Sequence, residues 1–133
     1  MSQLKNRFPV ALVTGAANRL GAAIALDLAA AGYAVLVHHR GGSDDAARVV
    51  GEIRSNGGQA AALRADLAIR RQRAALVGRA GKPFGPLTLL VNNASSFEPD
   101  SVADLDEALW DSHFAVHLEA PAFLARDFAA QLD

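Results

Sequence analysis

Between Val10 and Val91 the chain alternates short, unbroken apolar runs with longer segments whose apolar residues recur every three or four positions. Val10-Ala11-Leu12-Val13 reads as a buried strand that ends in a turn at Thr14-Gly15. Leu20, Ile24 and Leu28, spaced by four among alanines, predict a helix packed on a sheet and capped at Gly32. Ala34 to Val37 is a second apolar strand. Ser43-Asp44-Asp45 supplies an N-cap and early acidic residues for a second helix ending near Gly57-Gly58. Ala60 to Leu63 is a weaker third strand, and Arg70 to Arg79 a third helix broken by Gly81-Lys82-Pro83-Phe84-Gly85-Pro86. Leu87 to Val91 is a fourth strand. From about Asp104 onward the pattern is helical, with Pro121 as a kink or break.

Strands without polar alternation, separated by helices, indicate a parallel sheet covered on both faces. Right-handed crossovers then give the spatial order 3-2-1-4. The fold class is α/β: a Rossmann-like doubly wound sheet, incomplete on its C-terminal side because the apolar fourth strand has no fifth beside it. With 133 residues, 51% of them hydrophobic and 20% charged, the chain fits one domain, residues 1–133, with a modest core. A net charge of −1 gives no reason to expect nucleic acid or an anionic membrane as partner. There is no cysteine, which excludes disulfide and thiolate chemistry, and no apolar run approaches the ~20 residues of a membrane span. A cytoplasmic protein is the expectation.

The strongest local feature is Thr14-Gly15-Ala16-Ala17-Asn18-Arg19-Leu20-Gly21, placed between the first strand and the first helix. Gly15 permits the sharp turn, Gly21 permits close approach of helix to sheet, and free amides with the helix dipole face an incoming diphosphate. A plain strand-to-helix turn is the alternative, which the βαβ context disfavours. The segment resembles the TGxxxGxG fingerprint of the short-chain dehydrogenase/reductase family, with Arg19 at the usual middle glycine. Ala65-Asp66-Leu67 and Asn92-Asn93-Ala94 match the family in order, and TGAANRLG with NNASSF is similar to its pteridine reductase branch. The resemblance spans essentially the whole chain. It implies that Gly15, Arg19, Leu20 and Gly21 line the diphosphate and nicotinamide-ribose region. Asp66 and Leu67 would meet the adenine, and Asn93 and Ala94 would lie along the adenosine ribose and the back of the nicotinamide site. An ordinary helix N-cap is the other role for Asp66, and the two are compatible.

Cofactor choice rests on the end of the second strand. NAD-binding folds usually carry a carboxylate there, ~20 residues beyond the glycine loop. Here the place reads Val37-His38-His39-Arg40-Gly41-Gly42-Ser43, with no carboxylate. His39 stands near the acidic position, Arg40 offers a planar fork suited to a phosphate, and Ser43 adds a hydroxyl unless capping consumes it. NADP(H) is the expected cofactor.

On the substrate side, Asn93-Ala94-Ser95-Ser96-Phe97 departs from the family's NNAG form. By resemblance, Phe97 would stack on a flat heteroaromatic ring such as a pterin and Ser95 would supply a hydroxyl. Alternatively Phe97 plugs the domain's own core. His117 falls where many family members place an asparagine of the proton relay, and is the one catalytic candidate. His113 and His117 lie four apart, but two histidines without a third ligand do not make a metal site, and none is expected. The family's Tyr-x-x-x-Lys pair is absent: the single tyrosine, Tyr33, has Val37 four residues on. These features predict the N-terminal half of a protein of ~250 residues, inactive alone and homo-oligomeric when complete. The expected function is NADPH-dependent reduction of a small molecule, with a pterin as one candidate. The alternatives are a carbonyl or 3-oxoacyl thioester reductase and a non-catalytic NADP-binding module.

Overall fold

The computed structural model describes residues 8–132; Met1–Arg7 and Asp133, which the expected domain includes, lie outside the described residues. Its centre is a four-stranded parallel sheet: β1 (Val10–Val13), β2 (Ala34–His39), β3 (Ala60–Arg64) and β4 (Leu89–Val91), in the order β3-β2-β1-β4. The expected topology is therefore found. Helices α1 (Arg19–Ala30) and α2 (Ser43–Ser55) cover one face, where Val13, Val35 and Val37 meet Ala25, Val49 and Ile53. Helix α3 (Arg70–Phe84) and the last helix, α5 (Ala120–Ala130), cover the other, where Leu12 and Leu36 meet Leu76 and Leu124. With both faces covered, β1 and β2 are buried at every position. The edge strands are not: β3 alternates toward solvent and β4 is half-buried throughout.

Several boundaries differ from the sequence-based expectation for local reasons. Leu20 is 66% exposed and leaves the packed face of α1 to Gly21, Ala25 and their neighbours. Ser43 is not the N-cap of α2; Gly42, left-handed at φ 64°, takes that place and Ser43 is the first helical residue. Helix α3 runs through Gly81-Lys82-Pro83 to Phe84, because Leu76, Val77, Ala80 and Phe84 keep one face on the core and Pro83 falls only in its final turn. Strand β4 begins two residues late. Gln131, at the end of α5, accepts from the Leu87 N–H (2.8 Å) and donates to the Leu87 carbonyl (3.0 Å), so those groups leave the ladder.

The C-terminal helical region has three parts. Helix α4 (Glu107–Phe114) starts at an Asp106 cap whose Oδ1 accepts from the N–H groups of Ala108 and Leu109. A π-helical turn (Ala115–Glu119) follows, and then α5. Pro121 enters in the first turn of α5, where the ladder has just changed register, so its missing N–H does not end the helix. Glu119 anchors this turn to α3 by accepting from Arg70 and Arg73, each at 2.7 Å. Those two guanidinium hydrogen bonds hold its carboxyl down at about 2. No helix among the described residues is long and apolar enough to cross a membrane.

Candidate functional site

The carboxyl ends of β1 and β4 are tied together by Thr14, which is buried. Its hydroxyl donates to the Val91 carbonyl (3.3 Å) and accepts from the N–H groups of Asn93 (3.0 Å) and Ala94 (2.9 Å). Asn93 returns the contact, its amide donating to the carbonyls of Thr14 (3.2 Å) and Gly15 (3.1 Å). Gly15 sits at φ +63°, and a Cβ there would stand 2.8 Å from the Ala94 Cα. At Gly21 a Cβ would collide with the Gly15 carbonyl oxygen and lie 2.6 Å from the Asn93 amide nitrogen. Both glycines are thus required by close approach, which brings the first turn of α1 directly onto the loop.

The amides of this loop divide into two sets. Gly15 N–H donates to His38 Nδ1 (3.0 Å) and Ala16 N–H to the His38 carbonyl (2.8 Å), so these two point inward. The first intrahelical bond of α1 runs from Ala22 N–H to the Asn18 carbonyl, and the Asn18 side chain caps nothing. That leaves the N–H groups of Arg19, Leu20 and Gly21 as the unpaired first turn of a twelve-residue helix, a donor set suited to a diphosphate. Arg19 itself is exposed and left-handed, at φ 50°.

Two clefts open at this end of the sheet. One, of about 760 Å³, brings together nine of the residues expected from sequence: Gly15, Arg19, Leu20, Gly21, His39, Arg40, Asn93, Ser95 and Phe97. The other, of about 880 Å³, is lined by Arg40, Gly41, Arg64, Asp66, Ile69 and Gln72. Arg40 and Gly41 belong to both, so Arg40 stands at their junction. His39 Nδ1 donates to the Gly41 carbonyl (3.0 Å) and shapes the bend there. Arg40 Nε lies 3.7 Å from Asp66 Oδ2, while Arg64 Nε donates to the Arg40 carbonyl (3.1 Å). The cleft lining thus carries two guanidinium groups and one carboxylate, a local excess of positive charge.

The remaining expected residues are placed differently. Asp66 is not a helix N-cap: its Oδ1 accepts from Ala68 N–H (2.9 Å) in a local turn, and the N-cap of α3 is Ile69. Leu67 is buried in the core and lines neither cleft. Ala94 stacks against Gly15 through its backbone. Ser43 is exposed, and its hydroxyl is not spent on the start of α2, whose N-cap makes no side-chain bond.

On the β4 side, Phe97 is 83% exposed at the cleft wall and does not plug the core. His117 lies in the π-helical turn and reaches the backbone behind this segment: Ser96 N–H donates to His117 Nε2 at 3.1 Å. An amide can only donate, so the proton of neutral His117 is on Nδ1. The His113 and His117 rings meet edge to face, 5.7 Å between centroids. Tyr33 precedes β2 at the opposite end of the sheet from both clefts.

Sequence reasoning overlooked Thr14, His38 and Arg64. Thr14 is a residue of the glycine motif read only as turn. His38 had a visible signal, a polar residue inside an otherwise apolar strand. Arg64 had none, because its relevance depends on which strand lies beside β2.

The sequence profile of the short chain dehydrogenase family matches residues 9–133. Elsinochrome reductase 1 from Elsinoe fawcettii is 37% identical over 118 residues, covering 89% of this chain and 44% of the relative. The 3-oxoacyl-[acyl-carrier-protein] reductase FabG from Staphylococcus aureus is 36% identical over 109 residues, 82% of this chain and 44% of the relative. Among solved structures, FolM alternative dihydrofolate reductase 1 from Brucella canis, complexed with NADP, superposes with a TM-score of 0.88 at 44% identity. That match covers 94% of this chain and 50% of the other. The chain thus spans half, or slightly less, of the length of these proteins. Fold, motif and site geometry converge with the profile: this chain belongs to the short-chain dehydrogenase family.

Proposed function

We propose that the joined clefts form the NADP(H) site of an NADPH-dependent reductase. The carrying observation is the position of Arg40 at the junction, with Arg64 beside it and no carboxylate at the end of β2. The amides of Arg19 to Gly21 hold the diphosphate, and Arg40 takes the 2′-phosphate of the adenosine. His39 shapes the bend that presents Arg40, and Ser43 offers a hydroxyl to the same phosphate. Asp66 accepts from the adenine amino group, and Leu67 backs that contact from the core. Asn93 and Ala94, packed on the glycine turn, lie along the adenosine ribose and the back of the nicotinamide site. A bound nicotinamide supplies the hydride; the proton donor and its lysine partner are not in this chain, which is therefore expected to be inactive alone. The NADP complex of the Brucella canis relative supports the cofactor assignment.

For the second substrate we favour a pterin-like ring, stacked on Phe97 with Ser95 at its edge. The exposed phenyl face at the cleft wall supports this, as does the dihydrofolate reductase description of the same relative. His117 acts through Ser96, holding the substrate segment in place. A carbonyl or 3-oxoacyl thioester is the second reading, supported by the similarity to FabG. A non-catalytic binding module is the third. Self-association through the exposed apolar side chains of α4 and α5, Trp110, Phe114 and Phe123, belongs to the same proposal, as does the cytoplasm as its compartment.

The test is titration with NADPH and NADH, with NADPH oxidation by the complete reading frame followed against dihydropterins, ketones and 3-oxoacyl thioesters. NADPH binds more tightly than NADH. Arg40→Ala lowers NADPH affinity roughly 10- to 100-fold, the scale of a lost hydrogen bond to a charged group, and leaves NADH nearly unchanged. Tighter binding of NADH by the wild type would overturn the assignment. Binding without turnover of any substrate class would favour the module.

A further inference from the structure

We propose that His38 is a positioning residue that locks the two ends of the cofactor cleft to each other, as a neutral imidazole with its proton on Nε2. The inference rests on the NADP(H) reading above but concerns a residue which that reading does not use. His38 lies in β2 and is 2% exposed. Both ring nitrogens are engaged by main chain from different segments. Gly15 N–H points at Nδ1 (3.0 Å), and the Ala65 carbonyl oxygen lies 2.9 Å from Nε2. An amide can only donate and a carbonyl can only accept. Nδ1 must therefore be the bare nitrogen and Nε2 the protonated one; no other neutral tautomer satisfies both partners.

The consequence is geometric. Gly15 carries the carbonyl against which Gly21 packs, so its orientation sets where the unpaired amides of Arg19 to Gly21 stand. Ala65 immediately precedes Asp66, whose carboxylate faces Arg40. One imidazole thus ties the diphosphate end of the site to the adenosine end. A proton on Nδ1 would set two donors face to face and release Gly15. The surroundings oppose that proton: burial is the largest influence, lowering the His38 pKa, and His39 and Arg79 push the same way against the Ala65 carbonyl. Arg79, from α3, donates to the Arg64 carbonyl next to Ala65, which brings its charge near the ring. An apolar side chain of similar size would fill the space but leave Gly15 N–H and the Ala65 oxygen buried without partners.

The experiment uses the complete reading frame with His38→Leu, which removes both bonds, and His38→Asn, which keeps an acceptor for Gly15. NADPH affinity, KM for NADPH, kcat and the unfolding midpoint are measured, with 15N spectra of the histidine rings. His38→Leu is expected to weaken NADPH binding about tenfold or more, equivalent to ~1.4 kcal/mol, with KM rising more than kcat falls. His38→Asn restores most of the affinity. In the wild type at neutral pH the His38 Nδ1 resonance is that of an unprotonated, accepting nitrogen. A protonated Nδ1 would overturn the proposal, as would His38→Leu binding NADPH normally, or His38→Asn losing affinity as completely as His38→Leu. If His38→Leu does not fold, the asparagine variant and the ring spectra still decide. Failure of the wild type to bind NADPH would count against the cofactor reading, while the ring spectra would still test the lock.

Discussion

The two sides of the cleft are built in opposite ways. On the β1–β2 side, the loop is tied to its neighbours: Thr14 and His38 are enclosed, Gly15 and Gly21 approach groups where a methyl group would not fit, and the exposed edge at Arg40 is braced from β3. On the β4 side, the segment from Phe97 to Leu105 is exposed throughout, and its side chains include Phe97 and the 96% exposed Val102. Its bonds are local, as between Ser101 and Asp104 at 2.9 Å, and just before it the Ser96 N–H donates to His117. A rigid wall can hold its donors in place before a ligand arrives, whereas a loosely tied one gains order from the ligand. The difference implies that dinucleotide affinity and second-substrate affinity are separable by mutation.

The largest expected effect tests the rigid side. Gly21→Ala places a methyl group into the Gly15 carbonyl and against Asn93, neither of which can yield without moving the loop. NADPH affinity should fall by more than about 100-fold, with a stability loss of roughly 3 kcal/mol, the upper range for atoms forced into a packed site. Fluorescence titration and denaturant unfolding measure both. Unchanged NADPH binding would mean that the close approach of α1 has no part in the site.

The corresponding change on the open side is Phe97→Ala. Because the ring is mostly in solvent, stability should stay within about 0.5 kcal/mol of the parent. Affinity for a dihydropterin should drop about tenfold through loss of a stacking face, while NADPH affinity holds. Parallel loss of both ligands would show that the two walls are coupled, and the contrast drawn above would fail.

That contrast also marks what could be read from the sequence. The unbroken apolar runs at Val10–Val13 and Ala34–Val37 imply strands covered on both faces, and the helices between them make a parallel sheet the setting that fits. Gly15 and Gly21 were legible because their spacing is itself the steric requirement. Ser43 resembles a cap in sequence, but the choice between it and Gly42 depends on one backbone torsion, and Gly42 adopts the left-handed conformation at little cost. Leu87 reads as part of the strand because nothing local signals that Gln131, 44 residues later, takes over its hydrogen bonds. Whether Phe97 faced core or cleft was undecidable from its neighbours in the chain, and the fold turns it outward. Local chemistry carries torsional and periodic requirements, while the partner of a given group is set only when distant segments meet.

The smallest expected effect concerns Arg19, where this chain departs from the usual glycine. Its backbone is left-handed at φ 50°, the conformation a glycine would adopt without strain. An L-residue there costs roughly 1–2 kcal/mol, partly offset because glycine loses more freedom on folding. Arg19→Gly should therefore stabilise the protein by up to about 1 kcal/mol, seen as a higher unfolding midpoint. The same change removes an exposed cation from the cleft wall, so NADPH affinity should fall by about threefold to tenfold at low salt and by less at high salt. Opposite signs in the two measurements would indicate that the arginine is kept for charge at a cost in backbone energy. A variant both less stable and unaltered in NADPH binding would instead show that the guanidinium supports the loop rather than the ligand.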